Sequence, residues 1–495
     1  MGPFLRSAAL HVTALAAAAG LSASCSSPAS SAAPASPAAD AAAPVQKLEL
    51  TYSKPATVGA PVTASAMGLP AGKTVDLQWA TVTGGWVVED YYHFQGKKYS
   101  ETTMSLGSFP VNSGGRFEAT FKIPEDFGGV HDIIATIDGK PVAQNGVNVT
   151  QSFEMTPLSG SVGTVVELRV RGLGWRTMES TWVVNWDNNN IGWVSAASTR
   201  GSATARFRAS GPAGDHVIKV YTGWQGQAYL NHEQSPVADL PRPEFTFRTT
   251  SSVASVAPAV AEPYQKQPLP ETVEAGASRL DVSPSQGPVG TRVSLKGAGL
   301  PAGRKLALVW QTFVGSRVSG NGFAPQENSL GDITVPADGQ LNQSVSIPDD
   351  LGVLHGLVLR DGDRTLAQGH FAVETSVVSI TPTSGPVGTP VTIHLKGVGW
   401  TEYDNIYVAT YDNAYMGYAC GFNSHGDVII NFVAAGQPGV HLIDLYPGIY
   451  QGPPTESQLL YRTPQLTYAD DHPGNKIPAL RFSFVVTPSA PLATK

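Results

Sequence analysis

Short segments along the chain alternate apolar and polar residues, which is the pattern of a β-strand with one buried face. The alternation is clear in residues 166–170 (VELRV) and 391–396 (VTIHLK), while residues 217–221 (VIKVY) are β-branched and aromatic. Turn-forming pairs such as Asp-Gly and Ala-Gly separate these segments, and no segment has a persuasive helical period. The pattern therefore predicts an all-β protein.

Two internal repeats divide most of the chain into four similar parts. An offset of 225 carries one set of residues onto identical residue types without a gap: Pro157, Gly160, Gly163, Thr164, Gly172, Gly174 and Trp175 become Pro382, Gly385, Gly388, Thr389, Gly397, Gly399 and Trp400. A second pair begins with an offset of 231, which carries Trp79 onto Trp310, and ends with an offset of 224, which carries His131 onto His355. The change from 231 to 224 predicts seven extra residues in the middle loop of the first part.

The repeats predict two domain types that occur twice in alternation. We expect four tandem immunoglobulin-like β-sandwich domains over residues 47–149, 150–250, 278–376 and 377–488. Residues 251–277 are rich in Ala, Val, Pro and Glu and are expected to form a semi-extended linker between the two pairs, with residues 489–495 as a tail. Only a few residues join the two domains within each pair, so those domains are expected to touch.

One motif in these repeats resembles the opening of an IPT/TIG domain. Residues 380–393 (ITPTSGPVGTPVTI) lead to residues 397–400 (GVGW), where that family more often ends in Phe. Residues 155–175 and 282–300 repeat the pattern, whereas the first domain keeps only Val58-Gly59 and Gly68-Leu69. The resemblance implies an immunoglobulin-like β-sandwich. It also implies the settings in which such domains occur, which are surface receptors, adhesins and carbohydrate-active proteins.

The N-terminal residues have the features of an export signal. Arg6 precedes an apolar stretch and small residues lead to Cys25, so residues 1–24 are interpreted as a signal peptide. Residues 21–25 (LSASC) resemble a bacterial lipobox, which implies a lipid on Cys25; ordinary cleavage nearby would instead leave a secreted chain. Residues 25–46 are mostly Ser, Ala and Pro and are expected to form a flexible tether. The expected location is the extracytoplasmic side of a membrane, or the exterior if Cys25 is not lipidated.

Composition narrows the classes of function. Charged residues make up 14% of the chain and the formal net charge is −7, so no basic surface for nucleic acid is predicted. The chain has two cysteines, and with Cys25 lipidated or removed, Cys420 has no partner for an intramolecular disulfide. The sequence carries no phosphate-binding loop, zinc signature or nucleophile elbow. We therefore predict no cofactor and no enzymatic activity.

The candidate ligand-binding residues lie in the second and fourth domains. Residues 186–193 (WDNNNIGW) and 411–418 (YDNAYMGY) place aromatic residues on both sides of an Asp-Asn pair. Aromatic rings can stack on sugar faces while carboxylates and amides bind sugar hydroxyls. The alternative is a β-hairpin in which Asp-Asn forms the turn and the aromatic residues pack across the strands. With nearby aromatic residues added, the candidates are Trp186, Asp187, Asn188, Trp193, Trp224, Tyr411, Asp412, Asn413, Tyr418 and Tyr450.

Other residues with chemical potential are assigned structural roles. Four histidines at equivalent strand starts are expected to cap or pack: His131, His216, His355 and His441. Cys420 corresponds to Ser195 under the offset of 225, which argues against a shared reaction, and we expect a half-buried strand residue. Three acidic runs lack a full calcium ligand set and are expected to be solvated loop charges: Glu125-Asp126, Asp349-Asp350 and Asp470-Asp471.

These features predict a non-enzymatic, exported cell-surface lipoprotein that presents tandem domains for adhesion, ligand binding or assembly with an envelope protein. The first alternative is a carbohydrate-binding accessory protein that uses the aromatic and Asp-Asn clusters. The second is a purely structural spacer or a subunit of an extracellular assembly. The expected partners are a membrane, through the lipid, and a glycan or an envelope protein.

Overall fold

A computed structural model describes residues 45–89, 93–224, 226–232, 234, 240–250, 256–271, 273–316, 322–421, 425–449, 463–474 and 476–488. Residues Val45–Lys495 belong to one compact unit. Cys25 and Tyr450, together with the predicted signal peptide and nearly all of the tether, lie outside the described residues. Within the described part, no helix is long and apolar enough to cross a membrane.

The first domain packs a five-stranded sheet, in the order β1-β8-β7-β4-β5, against a three-stranded sheet, in the order β2-β3-β6. Its strands are β1 (Gln46–Lys47), β2 (Glu49–Tyr52), β3 (Pro61–Ala66), β4 (Thr74–Glu89), β5 (His93–Pro110), β6 (Phe117–Lys122), β7 (Gly129–Ile137) and β8 (Lys140–Val149).

The second domain packs the sheet β10-β17-β15-β12-β13, to which β16 is attached through β15, against the sheet β14-β11-β9. Its strands are β9 (Ser152–Thr156), β10 (Ser159–Gly160), β11 (Val165–Arg171), β12 (Trp182–Trp186), β13 (Asn189–Val194), β14 (Ala203–Arg208), β15 (Gly214–Trp224), β16 (Gln227–Ala228) and β17 (Glu244–Thr249).

The third domain repeats the first. Its larger sheet has the order β19-β27-β26-β23-β24, with β21 attached through β27, and its smaller sheet has the order β20-β22-β25. Its strands are β19 (Ser278–Arg279), β20 (Asp281–Ser283), β21 (Gln286–Pro288), β22 (Arg292–Gly297), β23 (Lys305–Ser316), β24 (Gly322–Thr334), β25 (Leu341–Ser346), β26 (Val353–Asp361) and β27 (Arg364–Glu374).

The fourth domain repeats the second and takes one strand from the linker, β18 (Ala259–Ala261). Its larger sheet has the order β18-β35-β34-β31-β32, with β29 attached through β35, and its smaller sheet has the order β28-β30-β33. Its elements are β28 (Ser376–Thr381), β29 (Ser384–Gly385), β30 (Pro390–Lys396), β31 (Ile406–Tyr411), β32 (Ala414–Cys420), β33 (Val428–Val433), β34 (Gly439–Gly448), α1 (Tyr468–Asp471) and β35 (Leu480–Val486).

This architecture confirms the predicted all-β fold of four immunoglobulin-like sandwiches in two repeated pairs. The alternation seen in the sequence puts apolar residues between the sheets, as in β11, where Val166, Leu168 and Val170 are buried. The prediction of a longer middle loop in the first domain was wrong. The hairpin strands β4 and β5 have 16 and 18 residues, against 12 and 13 in β23 and β24, so the extra residues lengthen a hairpin.

The two domains of each pair touch at the same place, as expected. The backbone N–H of Gly128 donates to the carbonyl of Leu173 at 3.2 Å, and that of Gly352 donates to Val398 at 3.0 Å. A Cβ on Gly128 would lie 1.9 Å from the carbonyl oxygen of Gly172. Glycine is therefore required for the two backbones to approach this closely.

A segment of the fourth domain, residues 463–471, completes the second domain. The backbone N–H of Trp193 in β13 donates to Pro464 at 2.8 Å, and the N–H of Leu466 donates back to Trp193 at 2.8 Å. The N–H of Arg206 in β14 donates to the carbonyl of Leu466 at 3.0 Å. Leu466 and Tyr468 are buried in the core of the second domain. We call residues 463–471 the inserted segment, since they close the gap between the two sheets of that domain.

Candidate functional site

The Asp-Asn pairs form the turns of two equivalent β-hairpins. Asp187 and Asn188 join β12 to β13 with φ angles of 48° and 69°, and Asp412 and Asn413 join β31 to β32 with 48° and 62°. Two successive residues with positive φ are the mark of the tight hairpin turns in which Asn and Asp are favoured. The hairpin alternative from the sequence is therefore confirmed for both copies.

Each turn aspartate also holds a histidine from a neighbouring strand. In the second domain, Asp187 Oδ2 lies 2.5 Å from His216 Nδ1, and Asp187 Oδ1 accepts the backbone N–H of Val217 at 2.9 Å. In the fourth domain, Asp412 Oδ2 lies 2.5 Å from His441 Nδ1. The hydrogen bond to Asp412 raises the pKa of His441. These pairs were missed in the sequence, although the spacing of 29 residues between Asp and His is identical in both copies.

Trp186 is a core residue and not an exposed platform, which corrects its prediction as a sugar-stacking residue. It is 2% exposed. Its ring packs against His216, Phe247 and Phe207, with centroid distances of 5.1, 5.6 and 6.1 Å. The β-strand places Trp186 on the inner face of the sheet, within the core of the second domain.

Trp193 is also buried, at 1% exposure, which corrects the second platform prediction. It lies in an apolar cluster with Phe94 of the first domain and Tyr403 and Ile449 of the fourth. Its Nε1 donates to the carbonyl of Thr463 at 3.0 Å. Trp193 therefore holds three domains together and is not available to a ligand.

In the fourth domain, two candidate residues are held by contacts within the protein and one is exposed to solvent. Tyr411 packs on His441, and its hydroxyl donates to the carbonyl of Ala435 at 2.7 Å. Asn413 is buried and its amide donates to the carbonyl of Arg208 in the second domain at 2.8 Å. By contrast, Tyr418 is 45% exposed. Trp224, a candidate from the second domain, is the last residue of β15, and its backbone pairs with Gln227.

The first and third domains build the same kind of cluster from a different aspartate. Trp79 stacks on His131 at 4.5 Å, and its Nε1 donates to Asp126 at 2.9 Å. His131 places its two ring nitrogens 2.8 Å from the carbonyl oxygens of Ala80 and Phe127. These contacts agree with the packing role predicted for the histidine. They correct the prediction for Asp126, which is buried and not a solvated loop charge.

The third domain repeats this cluster with Trp310, His355 and Asp350. The ring centroids of Trp310 and His355 are 4.5 Å apart, and Trp310 Nε1 donates to Asp350 at 2.8 Å. Burial lowers the pKa of His355, while Asp350 opposes the lowering. Asp350, like Asp126, is buried, so the prediction of solvated charge was wrong here too.

Asp471 is the centre of a buried network that joins three domains. Its carboxylate accepts the hydroxyl of Ser195 at 2.6 Å and the backbone N–H groups of Ala197 and Ser198 at 2.8 and 2.7 Å. Its carbonyl accepts Trp86 Nε1 from the first domain at 2.6 Å. Burial raises the pKa of Asp471, and the donors act against that rise. Asp471 was predicted to be solvated, and the inserted segment instead carries it into the interior.

His472 continues this network. Its Nδ1 lies 2.7 Å from Gln465 Oε1 and its Nε2 lies 2.6 Å from the carbonyl of Tyr403. Burial lowers the pKa of His472 to about 4, and Lys476 adds to the lowering. The imidazole is therefore neutral near pH 7. Together Gln465, Asp471 and His472 fill the contact between domains with polar groups, and a neutral His472 donates to one of its two neighbouring oxygens.

The remaining reactive residue behaves as the sequence suggests. Cys420 is a half-buried thiol at the end of β32, which confirms its prediction as a half-buried strand residue. Its counterpart Ser195 donates to Asp471. Among the described residues, no group of three His, Cys, Asp or Glu side chains is arranged to hold a metal ion.

A cleft of about 990 Å³ lies between the linker and the third domain. Lys266 and Glu271 line it from the linker, and Arg279, Asp281 and His370 line it from the third domain. Burial and the nearby Arg279 lower the pKa of His370. The charged side chains that line the cleft are therefore of both signs.

No protein-family model and no curated protein match this chain. Solved structures align with it at low similarity. Dimeric latent PorU from Porphyromonas gingivalis aligns at 14% identity and a TM-score of 0.15, over 67% of this chain and 34% of PorU. The ICAM-5 D1-D4 ectodomain fragment aligns at 11% identity and a TM-score of 0.17, over 81% and 94%. The N-terminal eight Ig domains of Down Syndrome Cell Adhesion Molecule align at 12% identity and 0.17, over 90% and 55%.

The chain thus spans about a third of the length of PorU. At these TM-scores the alignments carry no argument about function. The immunoglobulin-like fold rests on the sheets described above.

Proposed function

We propose that this protein is a non-enzymatic, exported lipoprotein that holds four IPT/TIG-like sandwiches as a rigid scaffold for binding or assembly at the cell surface. The observation that carries the proposal is the buried network around Asp471, where side chains of the first, second and fourth domains meet. Satisfied polar groups at such a contact fix one arrangement of the domains. A fixed arrangement suits a protein that presents surfaces to a partner.

The contacts made by the Asp–His pairs support a non-catalytic role. The aspartates that pair with His216 and His441 are held in hairpin turns, and each of the two histidines also packs on an aromatic ring. A general base needs a lone pair directed at a substrate. Here the histidine nitrogens lie within hydrogen-bond distance of protein oxygens, as in His216, whose Nε2 lies 2.9 Å from the carbonyl of Pro212.

The anchor is tested by metabolic labelling with a palmitate analogue. The parent chain is expected to take the label and to fractionate with membranes, because acylation adds buried CH₂ groups that favour the bilayer. Cys25→Ser should lose the label and move to the soluble fraction, while Cys420→Ser, the matched control, should behave like the parent. A Cys25→Ser protein that keeps the label contradicts the anchor. Cross-linking and purification from native membranes then tests whether a partner accompanies the anchored chain.

A second function, carbohydrate binding, is favoured by one surface of the fourth domain. The bulge between Ala409 and Thr410 sets Tyr415 opposite Thr410 and Tyr418 opposite Val408, so both tyrosine rings lie on one face of the sheet. Both are 45% exposed. Two rings on one face suit stacking on successive sugars. On a glycan array, Tyr415→Ala with Tyr418→Ala should remove the signal, whereas Val378→Ala on a distant strand should keep it; equal signals from both proteins exclude this site.

A further inference from the structure

Each of the four small sheets has an equivalent edge strand, and the four edges differ in how they are protected. The edge strands are β6, β14, β25 and β33, one in each domain. In each of them, alternate residues direct their backbone N–H and C=O groups away from the sheet. Sheet edges of this kind pair readily with other strands, and proteins protect them with charged residues or by covering them.

Two of the four edges are protected by charge or by cover, and a third is polar. In β6 the outward residues are Glu118, Thr120 and Lys122, which include two charges. In β25 the outward residues are polar: Asn342, Ser344 and Ser346. In β14 the inserted segment covers the edge, and Leu466 and Asp470 accept the backbone N–H groups of Arg206 and Thr204.

The fourth edge, β33, lacks these protections within the described part of the chain. The backbone N–H of Ala434 donates to the carbonyl of Thr389 at 2.8 Å, so the backbone groups of Ala434 point into the sheet. Because inward and outward residues alternate along an antiparallel strand, the N–H groups of Ile429, Asn431 and Val433 point outward. None of these three has a backbone hydrogen-bond partner among the described residues. Ile429 is 60% exposed and Val433 is 58% exposed. The strand, VIINFV, has no charged residue.

We propose that β33 pairs with β33 of a second copy of this chain. An antiparallel pair centred on Asn431 places Ile429 opposite Val433 of the second copy, and the two Asn431 residues opposite each other. All outward groups of both strands are then satisfied, by roughly six backbone hydrogen bonds, and the exposed apolar side chains cover each other. The two small sheets become one continuous six-stranded sheet.

The occupant is a second copy because the strand is complementary to itself. The twofold pairing matches apolar with apolar and amide with amide, and an uncharged strand meets no like charge in its copy. The second domain shows that this edge forms hydrogen bonds with an added segment. On the equivalent β14, the backbone N–H of Arg206 donates to the carbonyl of Leu466, and that of Thr204 donates to the Asp470 side chain. There Arg206 and Asp470 also supply charge complementarity, with an N···O distance of 3.7 Å. The counterpart of Arg206 in β33 is the neutral Asn431.

Dimerisation is measured by sedimentation velocity of residues 26–495 over about two decades of protein concentration. The parent chain is expected to dimerise reversibly. Asn431→Pro removes an outward N–H without touching the internal ladder, so the fold should persist. Ile429→Lys brings charge to the contact. Each change should weaken dimerisation about tenfold or more. Val378→Lys, at the opposite edge of the same sheet, is the matched control and should dimerise like the parent, with circular dichroism verifying folding.

A disulfide tests the register. Opposed residues in a hydrogen-bonded antiparallel pair have Cα atoms about 5.5 Å apart, which suits a disulfide. Asn431→Cys should therefore form a covalent dimer under oxidation, and Ser344→Cys at the polar edge of the third domain should not. Cys420 is present in both proteins, so it cannot explain a difference. A monomeric parent chain at every concentration overturns the proposal, and so does a dimer that Asn431→Pro and Ile429→Lys leave unchanged.

Discussion

At the scale of single residues, each domain centres on a histidine packed against an aromatic ring. In the first and third domains the ring is a tryptophan whose N–H donates to an aspartate, and in the second and fourth an aspartate in a hairpin turn binds the histidine directly. The same residue types thus serve the same packing role through two different geometries. The two geometries shift the histidine pKa in opposite directions: burial lowers the pKa of His355, and the hydrogen bond to the Asp412 carboxylate raises that of His441.

His472 makes stability depend on acidity. Its pKa in the folded protein is about 4, below its usual value of 6.5, so its contribution to stability is present above pH 6.5 and is lost as the pH falls toward 4. The shift corresponds to about 3 kcal/mol. We expect the free energy of unfolding by urea to fall between pH 7 and pH 4.5 by about 2–3 kcal/mol more in the parent than in His472→Gln. Asp471 is present in both proteins, so its own titration cancels in this comparison; equal pH slopes would contradict the assignment.

At the scale of elements, the inserted segment packs into the core of a domain to which it does not belong in sequence. It lies over Gly192, where an added Cβ would be 2.4 Å from the carbonyl oxygen of Pro464. At the equivalent Gly417, no atom of the described residues lies within 4 Å of such a Cβ. Substitutions in the two hairpins can therefore be compared to test whether the inserted segment depends on the close contact at Gly192.

Gly192→Ala is expected to displace the inserted segment, and Gly417→Ala is its control. The two glycines have φ angles of 148° and 156°, so the backbone strain of the substitution is similar in both. Only Gly192→Ala should increase amide hydrogen exchange across residues 463–471, and its melting temperature should fall further than that of Gly417→Ala. Similar exchange in the two variants would show that the segment does not depend on this contact.

At the scale of the whole molecule, a buried charge network joins the second and fourth domains. Asp444 Oδ1 lies 2.5 Å from Arg208 Nη2, and Asp444 Oδ2 lies 3.5 Å from Arg481 Nη1. Arg481 also binds Glu262 of the linker at 2.8 Å. The side chains of Arg208, Asp444 and Arg481 are buried. Removal of the central carboxylate would leave two arginines in the interior without their shared counter-ion.

Asp444→Ala is therefore expected to destabilise the protein by about 3–5 kcal/mol, measured by urea denaturation. The control is Asp215→Ala, which removes the exposed ion pair with Arg248 and should cost less than about 1 kcal/mol. A loss for Asp444→Ala as small as that of the control would mean that the buried network adds little to the interface.

The sequence was sufficient for the fold because its signals are local. Alternation in β11 and β30, the Asp-Asn turns and the repeated glycines all act over a few residues. The predicted site failed at Trp193 and Asp471 because their burial depends on contacts across about 270 residues, such as Trp193 with Thr463. Neither neighbouring sequence nor periodicity carries that information. The spacing shared by the two Asp–His pairs was readable and was missed.

The inserted segment also imposes an order on folding during synthesis. Ribosomes make proteins from the N-terminus, so the second domain emerges long before Leu466 and Tyr468, which belong to its core. Until the fourth domain has been made, β13 and β14 are open edges that any extended chain could occupy. Export in an unfolded state, with folding only after the whole chain has crossed, would avoid that exposure, and a chain truncated before Thr463 would retain it permanently.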